Sequence, residues 1–365
     1  MKIARIDAIA LKVPFTFGGA PTGHGGRDWT TNDILLVRVE TDTGVIGWGD
    51  AFCYGCLDAV RSALLSMIAP IALGRDAGDI SGLSRDLQQK LHLFGRYGIT
   101  IFALSGLDIA LWDIAGKAAN LPLHRLLGGA GRTSLPAYAS LLKYRDPELV
   151  AGRVKLALQQ GYRHIKLHET EEAEVWAART AAGANIPIMV DTNCPWTPEE
   201  ARLKTTKLRA YDLHWLEEPI FPPEDFASIA RLRAATGVMM AAGENNCTAV
   251  QFRDMFAAGA VDYAQPSVTK VGGITEFLKV QTLADAAGVQ LMPHSPYFGP
   301  GFLATLQLMA ARGEPGGLVE RYHMDLEASL YGELVTPVNG AFKVPTGPGL
   351  GREPDPDVIK AYRVQ

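Results

Sequence analysis

Three acids stand out by their spacing: Asp191 in Met-Val-Asp-Thr-Asn, Glu217 in Trp-Leu-Glu-Glu-Pro and Glu244 in Ala-Gly-Glu-Asn. Each follows a short apolar run, and such runs recur at a step of about 25 residues, the length of one strand plus one helix. If the runs are successive parallel strands, the three carboxylates meet at one end of the sheet. Like charges held that close are unfavourable unless a cation neutralises them. A hard divalent ion with oxygen ligands, most simply one Mg²⁺, resolves the conflict and leaves positions open for a substrate. Any one of these acids alone reads equally well as a helix cap or a surface ion pair. Three at the same place in successive repeats do not.

Candidate bases flank the acids. In His164-Ile165-Lys166-Leu167-His168 a strand period of two puts Lys166 and His168 on the same inward side. His164 shares that parity but lies deeper and reads as a core histidine. His294, in Met-Pro-His-Ser, and Glu320, in Leu-Val-Glu-Arg, end two later runs. A base on each side of a metal-bound carboxylate is what abstraction of the proton α to a carboxyl group requires. The metal stabilises the enediolate, one side chain takes the proton, and another delivers one across the substrate. Glu320 would hydrogen-bond the second enolate oxygen if it were protonated; its plain alternative is a salt bridge.

These groups need elements to hold them. Met1–Pro14 and Asp33–Glu40 alternate apolar residues as strands, and the chain from Ala59 to about Leu127 has helical periodicity. After Gly128-Gly129 eight apolar runs alternate with amphipathic stretches, which predicts a (β/α)₈ barrel. An open doubly wound sheet would need a topological switch and a glycine-rich first turn. The α/β architecture expected is thus an α+β cap over residues 1–130, a modified (β/α)₈ barrel over 131–334, and a loop-like tail, 335–365, returning to the cap. Between the first strands lies the glycine-rich loop Phe15–Trp29, which has neither GxGxxG nor GK[ST] spacing. It is expected, with Phe52–Cys56, to close over the barrel mouth. His24, Arg27 and Trp29, together with Asn193, are the candidate substrate contacts, for hydroxyls or a distal carboxylate. Solvent-facing loop residues are the alternative for His24 and Arg27.

Composition excludes other classes. The 365 residues carry 35 Lys+Arg against 39 Asp+Glu, a net charge of −4, and this lack of a basic excess argues against a nucleic-acid binder. Hydrophobic residues make up 47%, enough for a large core, yet no unbroken apolar run approaches the roughly 20 residues of a membrane span. Charges interrupt the first residues where a secretion signal would need an apolar stretch, so a cytoplasmic enzyme with a small-molecule partner is expected. Cys53 and Cys56 form one C-x-x-C without a second pair, and read as ordinary thiols.

The set Lys166-x-His168, Asp191-x-Asn193, Glu217-Glu218-Pro219, Gly243-Glu244-Asn245 and Pro293-His294 resembles the mandelate racemase subgroup of the enolase superfamily. Gly44-Val-Ile-Gly47-Trp48-Gly49 and Leu107-Asp108-Ile-Ala-Leu-Trp112-Asp113 look like that family's capping domain. The resemblance implies that Asp191, Glu217 and Glu244 bind Mg²⁺, that Lys166, His168, His294 and Glu320 are the catalytic groups, and that the chain forms a homo-oligomer. Two positions depart from the family pattern. His168 stands where the second lysine is usual, and Ser267 stands where an aspartate would pair with His294. Ser267 also excludes the lysine of the muconate-lactonising branch, and Lys270 is left to neutralise buried acids. The leading expectation is dehydration of a sugar acid, with a strand-two base and His294 as acid. The alternative is an isomerase, either a cycloisomerase of a sugar-acid lactone or a racemase or epimerase. Racemisation needs two competent bases, so Ser267 counts against it. A catalytically silent binding protein of the same fold has no use for Lys166 and His168 in the mouth.

Overall fold

The computed structural model describes residues 1–21, 23, 27–129, 132–312 and 317–364. Near the N-terminus β1 (Ile3–Thr16), β2 (Thr31–Thr41) and β3 (Ile46–Ala51) form an antiparallel meander. Their alternating residues bury one face under the helix Ile99–Ala118. By length and composition that helix could cross a membrane, although Asp108, Asp113 and Lys117 interrupt its apolar run. Within its most apolar window 78% is buried inside the protein, as in a core helix. Asp113 and Lys117 pair with each other at 2.8 Å.

The eight apolar runs are parallel strands: β4 (Ser134–Ser140), β5 (Ile165–Leu167), β6 (Ile188–Asp191), β7 (Leu213–Glu217), β8 (Met240–Ala242), β9 (Tyr263–Ala264), β10 (Gln290–Leu291) and β11 (Val319–Tyr322). Their order, β10-β9-β8-β7-β6-β5-β4-β11, is that of a curled barrel. The ladder does not close, because β10 and β11 are not paired among the described residues. There Leu318 N instead donates to Met292 Sδ at 3.4 Å, and Pro293 and Pro296 supply no backbone donors. Tyr138, Met189, Trp215, Ala241, Tyr263, Met292 and Leu318 fill the interior, so the barrel is a packed core and not a pore.

The chain beyond β11 is more ordered than its proline content suggested. β12 (Asp325–Leu326) pairs with β1, and β13 (Ala341–Lys343) pairs antiparallel with β4. The helix Pro356–Tyr362 then packs on β1. Carboxylates of the N-terminal unit hold barrel helices at their N-termini: Asp50 accepts from Gly301 N, and Asp108 accepts from Thr275 N at 3.0 Å.

Candidate active site

Asp191 ends β6, Glu217 ends β7, and Glu244 lies two residues beyond β8. One carboxylate oxygen from each lies within 4.8 Å of the others, and Asp191 and Glu217 are fully buried. Three hard oxygen donors from three strands suit Mg²⁺ and not a thiophilic metal. The adjacent Cys194 thiol is kept protonated by burial and by Glu218, so it is no competing ligand.

Lys166 is buried beneath these acids, its Nζ 2.8 Å from Glu217 Oε1, 2.9 Å from Glu320 Oε1 and 3.1 Å from Asp191 Oδ2. Burial works against its charge, but Glu217, Glu320 and Asp191 outweigh that and hold its pKa well above the ordinary lysine value. Burial opposes the charge of Asp191 and Glu320 as well, yet Lys166 keeps both below the usual carboxylate range. Glu217 is raised, first by burial and then by the Asp191 charge. Glu320 therefore carries a negative charge and accepts from Ser295 N at 3.1 Å. This contact with a buried ammonium favours the charged form of Glu320 and is the salt-bridge alternative of the sequence reading.

His168 donates from Nδ1 to the Leu141 carbonyl at 2.6 Å, the assignment that a carbonyl acceptor demands, while its Nε2 stands 3.3 Å from Asp191 Oδ2. Across the mouth His294 Nε2 is 3.0 Å from Glu244 Oε2. Its Nδ1 meets two hydroxyls, Tyr297 at 3.2 Å and Ser267 at 3.3 Å, and those hydroxyls contact each other. Burial pushes the His294 pKa down to about 3, against the opposing pull of Glu320, so the ring is neutral. Tyr297 escaped the sequence reading. It lies three residues past His294 on an irregular segment, where no periodicity says which way a side chain points. Lys270 neutralises as expected, with Nζ 3.7 Å from Glu244, 3.0 Å from Asn245 Oδ1 and over the Phe52 ring.

A cavity of about 800 Å³ opens above these groups. Asn193 lines it, held in a left-handed backbone with its N–H on Asp191 Oδ1 at 2.9 Å. Trp29 lines it too, edge-on to Phe15, Tyr54 and Tyr322, and its buried Nε1 has no partner among the described residues. Phe52, Cys53 and Tyr54 form part of the wall, as expected of that loop. Cys53 and Cys56 are free, and burial raises both thiols, which suits ordinary cysteines. Arg27 is exposed and is not among the wall residues, and His24 lies outside the described residues. Two cations that the sequence reading missed, Lys143 and Arg145, do line the wall. They follow β4 in a loop without periodicity, so only the fold brings them to the mouth.

Known proteins share this sequence pattern and fold. The family described as Enolase C-terminal domain-like matches residues 149–358, and the Mandelate racemase / muconate lactonizing enzyme, N-terminal domain, matches residues 21–128. A D-galactarolactone cycloisomerase of Agrobacterium fabrum is 32% identical over 350 residues, covering 90% of this chain and 91% of the relative. An arabinonate dehydratase of Saccharolobus solfataricus is 31% identical over 341 residues, covering 91% of each. The crystal structure of a racemase from Streptomyces coelicolor with bound magnesium superposes with a TM-score of 0.84 at 28% identity, covering 99% of this chain and 100% of that one.

Proposed function

This chain belongs to the mandelate racemase/muconate lactonizing enzyme family of the enolase superfamily and is a lyase or isomerase, and on that footing we propose that it dehydrates a sugar acid with the help of Mg²⁺. Held by Asp191, Glu217 and Glu244, the ion would supply positive charge against the substrate carboxylate and the charge that develops as the α-proton leaves. The remaining work falls to side chains. His168, with Nδ1–H anchored on Leu141, presents the Nε2 lone pair that takes the α-proton. Lys166 stays charged and keeps Asp191 and Glu320 ionised, so it is a positioning cation and not the base. His294, on the opposite wall and neutral at rest, must first take up a proton, and the imidazolium then delivers it to the β-hydroxyl, which departs as water.

The observation that carries this reading is the asymmetry of the two histidines. His168 has a fixed carbonyl acceptor behind it; His294 has only hydroxyls, which donate or accept and do not hold it as a base in the way a carboxylate does. Elimination needs one base and one proton donor, whereas racemisation needs two matched bases. A second reading, opening of a sugar-acid lactone by β-elimination, uses the same two histidines with the ring oxygen as leaving group. Its support is the 32% identity to a galactarolactone cycloisomerase.

The test is turnover with Mg²⁺ in D₂O, followed by NMR over a panel of aldonates, aldarates and their lactones. A 2-keto-3-deoxy product from open acids supports dehydration, and product from lactones alone supports the second reading. Exchange with inversion at the α-carbon and no elimination overturns both.

A further inference from the structure

The cavity wall holds two cations that the proposed chemistry does not use. Leu141, whose carbonyl anchors His168, marks the depth of the base. Lys143 and Arg145 lie two and four residues further out along the same segment, at most about 7 and 13 Å of chain. Glu244 of the acid triad, Lys143 and Arg145 line one and the same cavity, so a single ligand in it meets both the triad and these cations.

The loop is built to hold them there. Arg145 adopts a left-handed backbone, φ 57°, which is costly for a residue with a long side chain. The buried carboxylate of Glu169 maintains it, accepting from Tyr144 N at 2.5 Å and from Arg145 N at 3.1 Å. Glu169 is thus committed to two backbone N–H groups. Lys143 hydrogen-bonds Thr170 Oγ1 at 3.5 Å and its charge reaches the Glu169 carboxylate, but neither Lys143 nor Arg145 is in a salt bridge among the described residues. The other charged groups of the wall are engaged: Asp33 with Lys12 at 3.4 Å, Glu218 with Asn245, and Lys270 with Asn245 and Glu244. A half-buried ammonium and an exposed guanidinium, both outside any salt bridge, stand beside the cavity where a ligand anion can meet them, and a planar guanidinium next to an ammonium suits a carboxylate.

We propose that Lys143 and Arg145 form a second anion subsite for the distal carboxylate of the substrate, so that the enzyme acts on diacids, aldarates or their monolactones, in preference to aldonates. This rests on the sugar-acid reading above and narrows it to one substrate class. It also moves the distal contact that the sequence assigned to His24 and Arg27 onto the loop after β4.

Calorimetric titration of the Mg²⁺-loaded protein tests it independently of turnover. The probes are pairs that differ only at the far carbon: galactarate against galactonate, and glucarate against gluconate. At least one diacid is expected to bind about tenfold or more tightly than its aldonate, and Lys143→Met or Arg145→Met to reduce that ratio about tenfold. Failure of every diacid to bind overturns the proposal, as does an equal or tighter aldonate in both pairs. A diacid preference that survives both substitutions overturns it too, and tighter binding of a 6-phosphoaldonate than of any diacid reassigns the subsite to phosphate. Diacid binding that depends on Lys143 and Arg145 without any elimination product sinks the dehydration reading and leaves the subsite standing.

Discussion

Lys166 and His168 differ by two positions in the chain, yet their surroundings differ sharply. Three carboxylates keep Lys166 protonated, whereas His168 has one nitrogen spent on a carbonyl and the other at the cavity. His168→Gln is therefore expected to lower kcat by about 10² to 10⁴-fold with a small change in KM, and to stop exchange of the α-proton in D₂O. Unchanged exchange in a folded variant, checked by circular dichroism, would return the base to Lys166. The three acids, Lys166 and the two histidines were legible because each follows an apolar run, and a strand period of two decides which side it faces. Tyr297, Lys143 and Arg145 were not legible, because irregular backbone carries no such rule.

At the level of elements, β3 and the helix Ile99–Ala118 approach backbone to backbone at two glycines of the strand. A Cβ on Gly47 would strike the Ala110 carbonyl, and one on Gly49 the Gly106 carbonyl. Two residues along the strand thus match four along the helix, one face against one turn. Gly49→Ala is expected to cost about 2 kcal/mol or more in denaturant unfolding, since backbone and not a flexible side chain must move. A loss within error would mean that the strand and helix can slide apart freely. The barrel strands were visible from their regular step. β12 and β13 were not, because strands of two or three residues are too short to alternate.

Across the whole molecule, the N-terminal unit grips the barrel through buried acids. Burial pushes Asp50 and Asp108 each up to about 7 from an ordinary 3.8, despite the backbone N–H groups they accept. Between about pH 4 and 7 the folded protein then holds protons that the unfolded chain has released, so these two groups make stability fall as pH rises through that window. Asn at both positions keeps an oxygen for Gly301 N and Thr275 N and cannot ionise. The Asp50→Asn, Asp108→Asn double variant should show a smaller drop in urea midpoint between pH 5 and pH 8 than the natural protein, the difference approaching the order of 1 kcal/mol per pH unit per group. An equal drop in both proteins would show that the acids titrate normally. The sequence by itself determined the order of the barrel strands, the acid triad and the two histidines, because all of these follow from local periodicity and its repeat. Only the tertiary structure decided that the barrel ladder stays open, that hydroxyls and not a carboxylate stand behind His294, and that Lys143 and Arg145 face the cavity. Those outcomes depend on which distant segments pack together, and no local spacing encodes that.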